Sequence, residues 1–583
     1  MAQPASEPVT TEPEVEPKRD VEIGQNVAQM PAEESKEPSL DDQKPEGVEQ
    51  VEAITKLWTK KWLWITFVLI WFLNFVVDML SSVQDSLSPY ITSYFSKHGL
   101  LANINIPSRI IGGVVLLPVS KIIDLRGRTE GFIGSVVLIV VGMIMKAACT
   151  NVETYVAAQV FYWVGKAALG FVLTVFVADI TTLRNRMIML TLNATPTLAT
   201  TFAGPEIAQL FYTYSNFRWA FGAWAIILVG FSGPVIGILF FQERKVKKAG
   251  IVRKRSGRTF IQSVKYYFIH FDVIGMVLIA AGFILFLLPF SLVSYSKAGW
   301  ESAHIIVMII LGIICLGVFL AWEKYLTPVN FFPFELLNDR TVINAALTHA
   351  LMFMTIFIWN AYYSSYLQVV HGLNIRDSNY VLNGLALTSY FIGPFVHPPN
   401  RSRQISSLAS IPVYLLGTAL IAYFRTPSAY VGYVTMCQIL IGFGSALLTD
   451  TSRLAVMAAV PHKDVALSLV IHSLFTSIGS AIGYAIAGGM WTNMLPYKLA
   501  EYLPEDAKDQ AWTIFGDITL QMQDPIGTPI RDAVIAAYGD VGRKMVIVGS
   551  ALTPLMIITV LLWRNINVKD MQKEEKEDRG NVF

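Results

Sequence analysis

Residues 62–88 read WLWITFVLIWFLNFVVDMLSSVQDSLS and hold only two charged side chains, Asp78 and Asp85. A helix needs about 20 apolar residues to cross the hydrocarbon core of a bilayer, so this stretch predicts a transmembrane helix. Thirteen further apolar stretches follow at 99–120, 131–150, 154–178, 187–210, 218–241, 272–294, 302–322, 341–365, 379–396, 407–424, 428–449, 464–494 and 544–564. The chain has 583 residues, of which 53% are hydrophobic and 15% are charged. It is therefore predicted to be an all-α polytopic membrane protein.

Charge is divided unevenly between the tail and the loops. Residues 1–55 carry 14 Asp and Glu against four Lys and Arg, and this composition predicts a disordered acidic tail. If the tail is cytoplasmic, the predicted inner loops hold 20 Lys and Arg and the short outer loops hold five. Because Lys and Arg accumulate in cytoplasmic loops, both termini are predicted to be cytoplasmic.

The spacing of the apolar stretches predicts the domain organisation. An N-terminal six-helix bundle covers 62–241, a basic cytoplasmic linker with two inserted helices covers 242–340, and a C-terminal six-helix bundle covers 341–564. The C-terminal bundle includes a long outer loop at 495–543, and a cytoplasmic tail follows at 565–583. Long loops between helices are uncommon and are often functional; a solvated connector is the alternative.

A gate motif follows the second apolar stretch. Asp124, Gly127 and Arg128 have the spacing D-x-x-G-R, which is found in the cytoplasmic loop between helices 2 and 3 of the major facilitator superfamily. A tight glycine turn there places an anion and a cation against neighbouring helix ends. The motif predicts a latch at the inner gate.

Further motifs narrow this resemblance. They are AQVFYWVG at 158–165, VADITTLRNR at 177–186, TTFAGP at 200–205, CQI at 437–439, AVMAA at 455–459 and AGGMWTN at 487–493. Together they resemble the fungal siderophore–iron transporter family, a fourteen-helix branch of that superfamily, from about residue 62 to residue 569. The resemblance implies two six-helix bundles plus two inserted helices, and it adds Asp179, Arg184 and Arg186 to the inner gate.

The resemblance also implies a function. The expected activity is proton-driven import of an Fe(III)–siderophore complex, typically a hydroxamate. Because the family includes members assigned to glutathione exchange, proton-coupled export of glutathione or drugs is the alternative, and a non-transporting binding protein is a more distant one. The sequence shows no nucleophile–base pair or phosphate loop, so an enzyme is not expected. Iron would travel as a chelate, so neither a cofactor nor a protein-bound metal is expected.

The expected partners follow from that activity. They are a ferric siderophore, protons and membrane lipid, with no nucleic acid, and the expected form is a monomer. The expected location is the plasma membrane, with an endosomal vesicle membrane as the alternative.

Carboxylates inside predicted membrane segments are the candidates for proton coupling, because they are costly there and usually face a cavity or a partner. One face of the first helix carries Asn74, Asp78, Ser81, Ser82 and Asp85. The candidates are Asp78, Asp85 and Glu206. For Asp78 the alternative is a structural pair with Lys166, and for Glu206 it is snorkelling to water near the outer end of its segment.

The candidate cavity residues share helix faces in four segments. They are Asn74, Gln159, Tyr162, Lys166, His349, Phe353, Phe357, Asn360, His472 and Thr476. For each histidine the alternative is a packing role, hydrogen-bonded across helices. Lys166 and Thr174 depart from the family pattern, which has an aromatic and an acidic residue there, and the role of Lys166 stays open.

Aromatic residues mark the predicted outer entrance. They are Tyr362, Tyr363, Tyr366, Tyr502 and Trp512, and an interfacial aromatic belt is the alternative for the first three. Residues 391–403 are irregular where the family continues apolar and glycine-rich, which indicates a divergent loop or an error in the translated gene.

Overall fold

A computed structural model describes residues 60–181, 183–248, 259–328, 334–392, 403–460 and 465–564. The predictions for the tails at 1–55 and 565–583, and for most of 391–403, lie outside these residues. Within them every regular element is a helix, which confirms the predicted all-α class.

The N-terminal bundle contains the helices α1 (Lys60–Tyr94), α2 (Leu101–Arg126), α3 (Arg128–Ala148), α4 (Val152–Asp179), α5 (Leu183–Ala194), α6 (Pro196–Tyr214) and α7 (Phe217–Lys248). The predicted segment 187–210 is divided at Thr195, because Pro196 has no N–H and starts a new helix there. Helix α1 packs on α6 and α7, and α3 packs on α4. Leu73, Leu80 and Phe221 are buried in the core that these contacts form.

The inserted part contains α8 (Phe260–His270), α9 (Val273–Leu287), the short α10 (Pro289–Leu292) and α11 (Ala303–Ala321). Helices α9 and α11 pack on each other, α9 also packs on α2, and α10 packs on the C-terminal bundle. The outer side of α11 exposes Ile306, Ile310 and Ile313. An exposed aliphatic surface of this kind suits lipid.

The C-terminal bundle contains the short α12 (Phe334–Leu337), α13 (Arg340–Asn360), α14 (Tyr363–His371), α15 (Ile375–Ile392), α16 (Arg403–Phe424), α17 (Val431–Ala458), α18 (Val465–Tyr502), α21 (Pro529–Leu552) and α22 (Leu555–Leu561). Two short helices, α19 (Ala511–Gly516) and α20 (Ile518–Gln521), lie in the long loop before α21. A second core joins this bundle to one side of α2 and to α9.

Twelve stretches of helix among the described residues are long and apolar enough to cross a membrane. The predicted segments 187–210 and 379–396 are helical as well, but α6 has 19 residues, α15 has 18, and neither is among the twelve. These two helices pack on each other between the bundles. Fourteen crossings therefore stay a prediction.

The two ends of the molecule differ in how they are covered. We call the end that carries Lys60 and Gly127 the tail side, and the end that carries the long loop the loop side. Residues 503–528 pack on the end of α1 and on the α1–α2 connection, and the Ile518 N–H donates to Ser93 Oγ in the last turn of α1 at 3.0 Å. A Cβ on Gly99 would lie 2.3 Å from the Phe515 ring, so only glycine allows this approach.

The same loop is fixed to the C-terminal bundle. Arg531 donates from Nη1 to the Gln521 carbonyl and from Nη2 to the Val369 carbonyl, the latter at 2.7 Å. Tyr538 also donates to Gln521. Because residues 503–528 contact both bundles, we call them the loop-side clamp.

Candidate functional site

A cavity of about 680 Å³ lies between the two bundles. Its volume falls within the range of about 300–1,000 Å³ that is usual for small-molecule sites. The N-terminal bundle contributes Asp85, Ser88, Pro89, Leu101, Asn105, Arg109 and Trp163. Most of the remaining wall comes from α13, α15, α17 and α18, including Phe353, Phe357, Asn360, Asn379, Asn383, Tyr390, Ser445, Asp450, Arg453 and Tyr484. The cavity is therefore shared by helices that would move relative to each other if the bundles rock.

The charged lining residues balance in sign. Asp85 and Arg109 face the cavity from the N-terminal bundle, and Asp450 and Arg453 face it from α17. Aromatic, amide and hydroxyl side chains make up much of the surface between them. Such a lining can hold a large polar molecule without net charge by ring contacts and hydrogen bonds.

Arg109 spans the cavity from one bundle to the other. Its guanidinium carbon lies 4.2 Å from the centroid of the Trp163 ring on α4 and 5.2 Å from that of Phe357 on α13. Tyr484 on α18 is 6.0 Å away. The Nε of Arg109 is buried and has no hydrogen-bond partner among the described residues. A cation held by ring faces, with a donor left over, can donate to a bound ligand.

Asp85 and Asp78 occupy different surroundings although they share a face of α1. Asp85 is exposed to the cavity, and the cations whose fields reach it are Lys166, Arg109 and Lys146. Asp78 instead accepts a hydrogen bond from Thr197 Oγ1 on α6 at 2.7 Å. The structure thus places Asp85 in the cavity wall and Asp78 at the contact between α1 and α6.

The predicted pair of Asp78 with Lys166 is not a direct ion pair: among the described residues, no carboxylate oxygen lies within 4.0 Å of Lys166 Nζ. Lys166 is attracted by both Asp78 and Asp85, and its ammonium lies 4.9 Å from the centroid of the Trp163 ring. It does not line the cavity. Lys166 therefore acts on the cavity through Asp85 and Trp163.

Three further predicted cavity residues lie inside the N-terminal bundle instead, because each has a polar partner on a neighbouring helix. Asn74 donates to Asn193 on α5 at 2.9 Å. Tyr162 shares a 2.7 Å hydrogen bond with Ser81. Gln159 donates to Asn105 at 3.5 Å and so supports a residue that does line the cavity.

In the C-terminal bundle the predicted cavity residues separate into two groups. Phe353, Phe357 and Asn360 line the cavity. His349, His472 and Thr476 lie behind it: the two imidazole rings stack at 4.4 Å, and His349 Nδ1 is 2.7 Å from Thr476 Oγ1. His472 Nε2 is 3.2 Å from Ser452 on α17. This is the packing alternative, in which the histidines join α13, α17 and α18.

Glu206 lies outside the cavity, at the loop side of α6. Its carboxylate is 45% exposed and lies 3.5 Å from Arg376 at the start of α15. The pair therefore links the two bundles at the loop side, a position that suits a gate contact rather than a proton site in the cavity.

The predicted entrance residues do not form an open entrance. Tyr362, Tyr363 and Tyr366 are fully buried, and Tyr362 stacks on Trp491 at 4.3 Å and donates to the Gly99 carbonyl at 2.6 Å. Neither an entrance nor an interfacial belt fits this burial. Trp512 and Tyr502 do lie at the loop-side surface, and the Tyr502 hydroxyl donates to Asp540 at 2.9 Å.

The tail-side gate motif forms a latch within the N-terminal bundle. Gly127 has a φ of 106°, a conformation that favours glycine, and it lets α3 follow α2 directly. Arg128 then reaches α4, where its Nε lies 2.8 Å from Asp179 Oδ2, and its Nη1 donates to the Ile123 carbonyl. Asp124, Arg184 and Arg186 have described backbones in α2 and α5, and their side chains lie outside the described part.

The chain is similar to several transporters along most of its length. The MFS siderochrome iron transporter 1 of Ajellomyces capsulatus is 46% identical over 539 residues, covering 92% of this chain and 94% of that protein. The siderophore iron transporter mirB of Emericella nidulans is 38% identical and covers 92% and 89%. This chain is a member of the MFS siderochrome iron transporter family. A family model described as a fungal trichothecene efflux pump matches residues 99–376.

A solved structure supports the fold of this siderochrome iron transporter family member. The peptide transporter POT in complex with sulfate aligns with a TM-score of 0.54 at 14% identity, covering 85% of this chain and 95% of that chain. At this identity the likeness concerns the fold alone, and it confirms the predicted major facilitator fold.

Asp450 and Arg453 of the cavity wall were not predicted as site residues, and neither were two cations of the N-terminal bundle. Arg109 lies in the second apolar stretch and lines the cavity. Lys146 is fully buried, donates from Nζ to Gln84 Oε1 and lies 4.1 Å from the centroid of the Tyr162 ring. The signal was present in both, because any ionisable residue inside a membrane segment is a candidate for function.

Proposed function

We propose that this chain imports neutral ferric siderophore complexes, of which Fe(III)–hydroxamates are the expected class. The observation that carries the proposal is the composition of the cavity wall: two acidic and two basic residues, with rings, amides and hydroxyls between them. A siderophore fills the coordination shell of its iron. Its carrier therefore needs ring faces and hydrogen-bonding groups, which this wall supplies.

Three side chains of the cavity wall, two amides and one cation, are proposed to form hydrogen bonds to such a cargo. Asn360 Oδ1 is buried and has no partner among the described residues. Asn383 lines the cavity, and its amide nitrogen donates to the Thr201 carbonyl at 2.7 Å. On the other side, Arg109 Nε has no partner among the described residues. These groups match the hydroxamate and amide oxygens and amide N–H groups at the periphery of a hydroxamate siderophore.

Proton coupling is proposed to pass through Asp85. In its ionised form Asp85 attracts Lys166 and Arg109. Protonation removes that attraction. Arg109 is then held more strongly by the rings of Phe357 and Tyr484, which belong to the other bundle. One proton then changes how strongly the two bundles are held across the cavity. Asp78 contributes indirectly, because Lys166 is attracted by both carboxylates.

The direction of transport requires an assignment of sides. We assign the tail side to the cytoplasm from the bias of Lys and Arg in the predicted loops, and we place the monomeric protein in the plasma membrane, with an endosomal membrane as the alternative. A substrate from outside would then enter past the loop-side clamp. It would leave toward the tail-side ends of α15 and α17, where Tyr390 and Arg453 are exposed.

The test is uptake of radioactive iron by cells that lack their own siderophore carriers and express this chain. The cells receive neutral ferric hydroxamates and a negatively charged ferric catecholate, with and without a protonophore. We expect saturable, protonophore-sensitive uptake of a hydroxamate complex and none of the catecholate. Absence of uptake for every complex, with the protein shown at the membrane, would contradict the import function.

Export is the second candidate, because residues 99–376 match a family model described as an efflux pump. The cavity serves either direction, so only the direction of flux separates the two functions. Cells preloaded with labelled glutathione, or with a fluorescent drug, should retain it if the chain is an importer. Faster loss that depends on Asp85 would support export instead.

A further inference from the structure

Helix α8 exposes one apolar face on the surface of the protein. Ile261 is 79% exposed, Val264 is 52% exposed and Phe268 is 46% exposed. They lie at offsets 0, 3 and 7, which is one face of a helix. Tyr266 and His270 fall on the opposite face, where their rings stack at 4.2 Å.

The helix is well defined in spite of its exposed face. Thr259 and Gln262 form a capping box, in which each side chain accepts from the other residue's backbone N–H. Its last residue, His270, accepts a 2.9 Å hydrogen bond from Lys121 Nζ through its carbonyl. Arg126 donates to the Tyr267 hydroxyl at 3.3 Å and lies 4.8 Å from the centroid of that ring. Helix α8 is thus held on the last turns of α2 by its polar side.

Three neighbouring apolar side chains on one helix face are unfavourable in water, so this face of α8 is expected to be covered. The exposed aliphatic surface continues into α9, where Ile274 and Val277 are also exposed. Since α9 is a candidate membrane span, the surface of α8 adjoins the lipid-facing surface of the bundle. This continuity indicates lipid as the occupant.

The charge of the same region favours an anionic surface. Lys265 lies within the exposed face of α8, and Arg244 and Lys245 are exposed near the end of α7. In sequence, nine Lys and Arg lie between Arg244 and Lys265. Basic residues next to an apolar helix face are the pattern of helices that lie in the interface of anionic membranes.

We propose that α8 is an interfacial helix that docks on anionic lipid of the membrane leaflet at the tail side. Ile261, Val264 and Phe268 enter the boundary between head groups and acyl chains, and Lys265 pairs with lipid phosphates. Through Lys121 and Arg126 the docked helix restrains the end of α2, next to the Gly127 turn and the Arg128–Asp179 latch. Anionic lipid thereby acts on the gate without contact with the cavity.

The test uses the full chain reconstituted in vesicles, with an environment-sensitive label on a cysteine that replaces Phe268. A Cys315→Ala background leaves only Cys149 and Cys437, which are both buried. We expect quenching of the label by brominated lipid, protection from aqueous iodide, and stronger lipid quenching in phosphatidylserine vesicles than in phosphatidylcholine vesicles. Lys265→Glu should weaken the phosphatidylserine-dependent docking by at least about fivefold, the equivalent of about 1 kcal/mol for each basic residue near the surface.

Two control labels complete the design. A cysteine at Trp300, which is 51% exposed at the loop side, should be reached by lipid or iodide with no dependence on phosphatidylserine. If Phe268→Cys fails to fold, as judged by gel filtration, the cysteine is placed at Ile261 instead. The siderophore is not needed for any of these readouts, so they stand apart from the transport assay.

Three outcomes would overturn the proposal. Quenching by iodide without quenching by lipid would show that α8 is in water. Protection from both quenchers would show that a segment of protein, such as the acidic residues 1–55, covers the helix. Equal lipid quenching in both kinds of vesicle would remove the anionic specificity.

Discussion

The two bundles present different chemistry to the cavity between them. On and behind the N-terminal wall lie five charged side chains, Asp78, Asp85, Arg109, Lys146 and Lys166, all on α1 to α4. The C-terminal wall is mostly uncharged, with aromatic, aliphatic, amide and hydroxyl side chains and one acidic and one basic residue at its tail-side end. In the function proposed above, one bundle holds the charges that a proton rebalances. The other bundle then offers the surface on which a neutral cargo rests.

The largest effect is expected at the cavity carboxylate. Asp85→Asn keeps the size of the side chain and removes the charge that attracts Lys166 and Arg109. Uptake should fall by on the order of 30-fold or more, the equivalent of about 2 kcal/mol, because the variant can no longer take up and release a proton at this position. Initial rates of iron uptake, normalised to surface protein, measure this.

The matched control for that substitution is Asp506→Asn, since Asp506 is exposed in the loop-side clamp. It should leave uptake unchanged. Full activity of Asp85→Asn would show that the charges of the N-terminal bundle do not couple transport to protons.

Substitutions of Arg109 test whether this residue couples the two walls of the cavity. Arg109→Gln should raise KM at least about tenfold, since it removes the charged donor proposed for the cargo, and a hydrogen bond to a charged group contributes about 1.5–3 kcal/mol. Arg109→Lys should raise it less, because Lys keeps the charge and loses the planar stacking on Trp163 and Phe357. Concentration series of the ferric complex give KM and maximal rate separately. Equal loss in both variants with unchanged KM would assign Arg109 to folding instead of binding.

The recognition wall is tested at Phe353, which lines the cavity and is not one of the rings that hold Arg109. Phe353→Ala should raise KM about fivefold, since loss of one aromatic contact with the cargo costs about 1 kcal/mol, and the fraction of uptake that a protonophore abolishes should stay the same. Phe290→Ala serves as the control, because Phe290 is 37% exposed outside the cavity. A change in protonophore sensitivity would contradict the division of labour between the bundles.

The smallest effect is expected at the loop side. Glu206→Gln removes an ion pair with Arg376 in which both side chains are more than 40% exposed. Such pairs contribute about 0–1 kcal/mol, so uptake should change by no more than about fivefold. Arg376→Gln should give the same small change. Complete loss in Glu206→Gln alone would restore Glu206 as a proton-coupling residue.

The sequence predicted the all-helical class and the Gly127–Arg128 turn, because both depend on local pattern. Apolar length identifies a membrane segment, and the turn needs a residue that tolerates positive φ. Phe353, Phe357 and Asn360 share a face of α13, and that face does line the cavity.

The positions of other side chains could be assigned only when the neighbours of each helix were known. Periodicity places Asn74, Asp78, Ser81 and Asp85 on one face of α1, yet that face meets α5, α6, α4 and the cavity in turn as the helix rises. A pattern along one helix cannot show which partner stands opposite each turn. For the same reason the sequence predicted an entrance at the tyrosines after α13, which are buried. The role of Arg109 was recognised only from its contacts with Trp163 and Phe357 in the structure.

The loop-side clamp has a consequence for how affinity would be measured from outside. The contacts of Ile518 with Ser93 and of Arg531 with Val369 close the loop side in this structure, and in the orientation proposed above this side faces the cell exterior. A ligand that can bind only the open minority has an apparent Kd equal to its intrinsic Kd divided by the open fraction. Ser93→Ala, which removes an anchor of the clamp, should therefore tighten the apparent affinity for an external complex. Loss of a contact would here improve binding, because it raises the population of carriers that are ready to receive it.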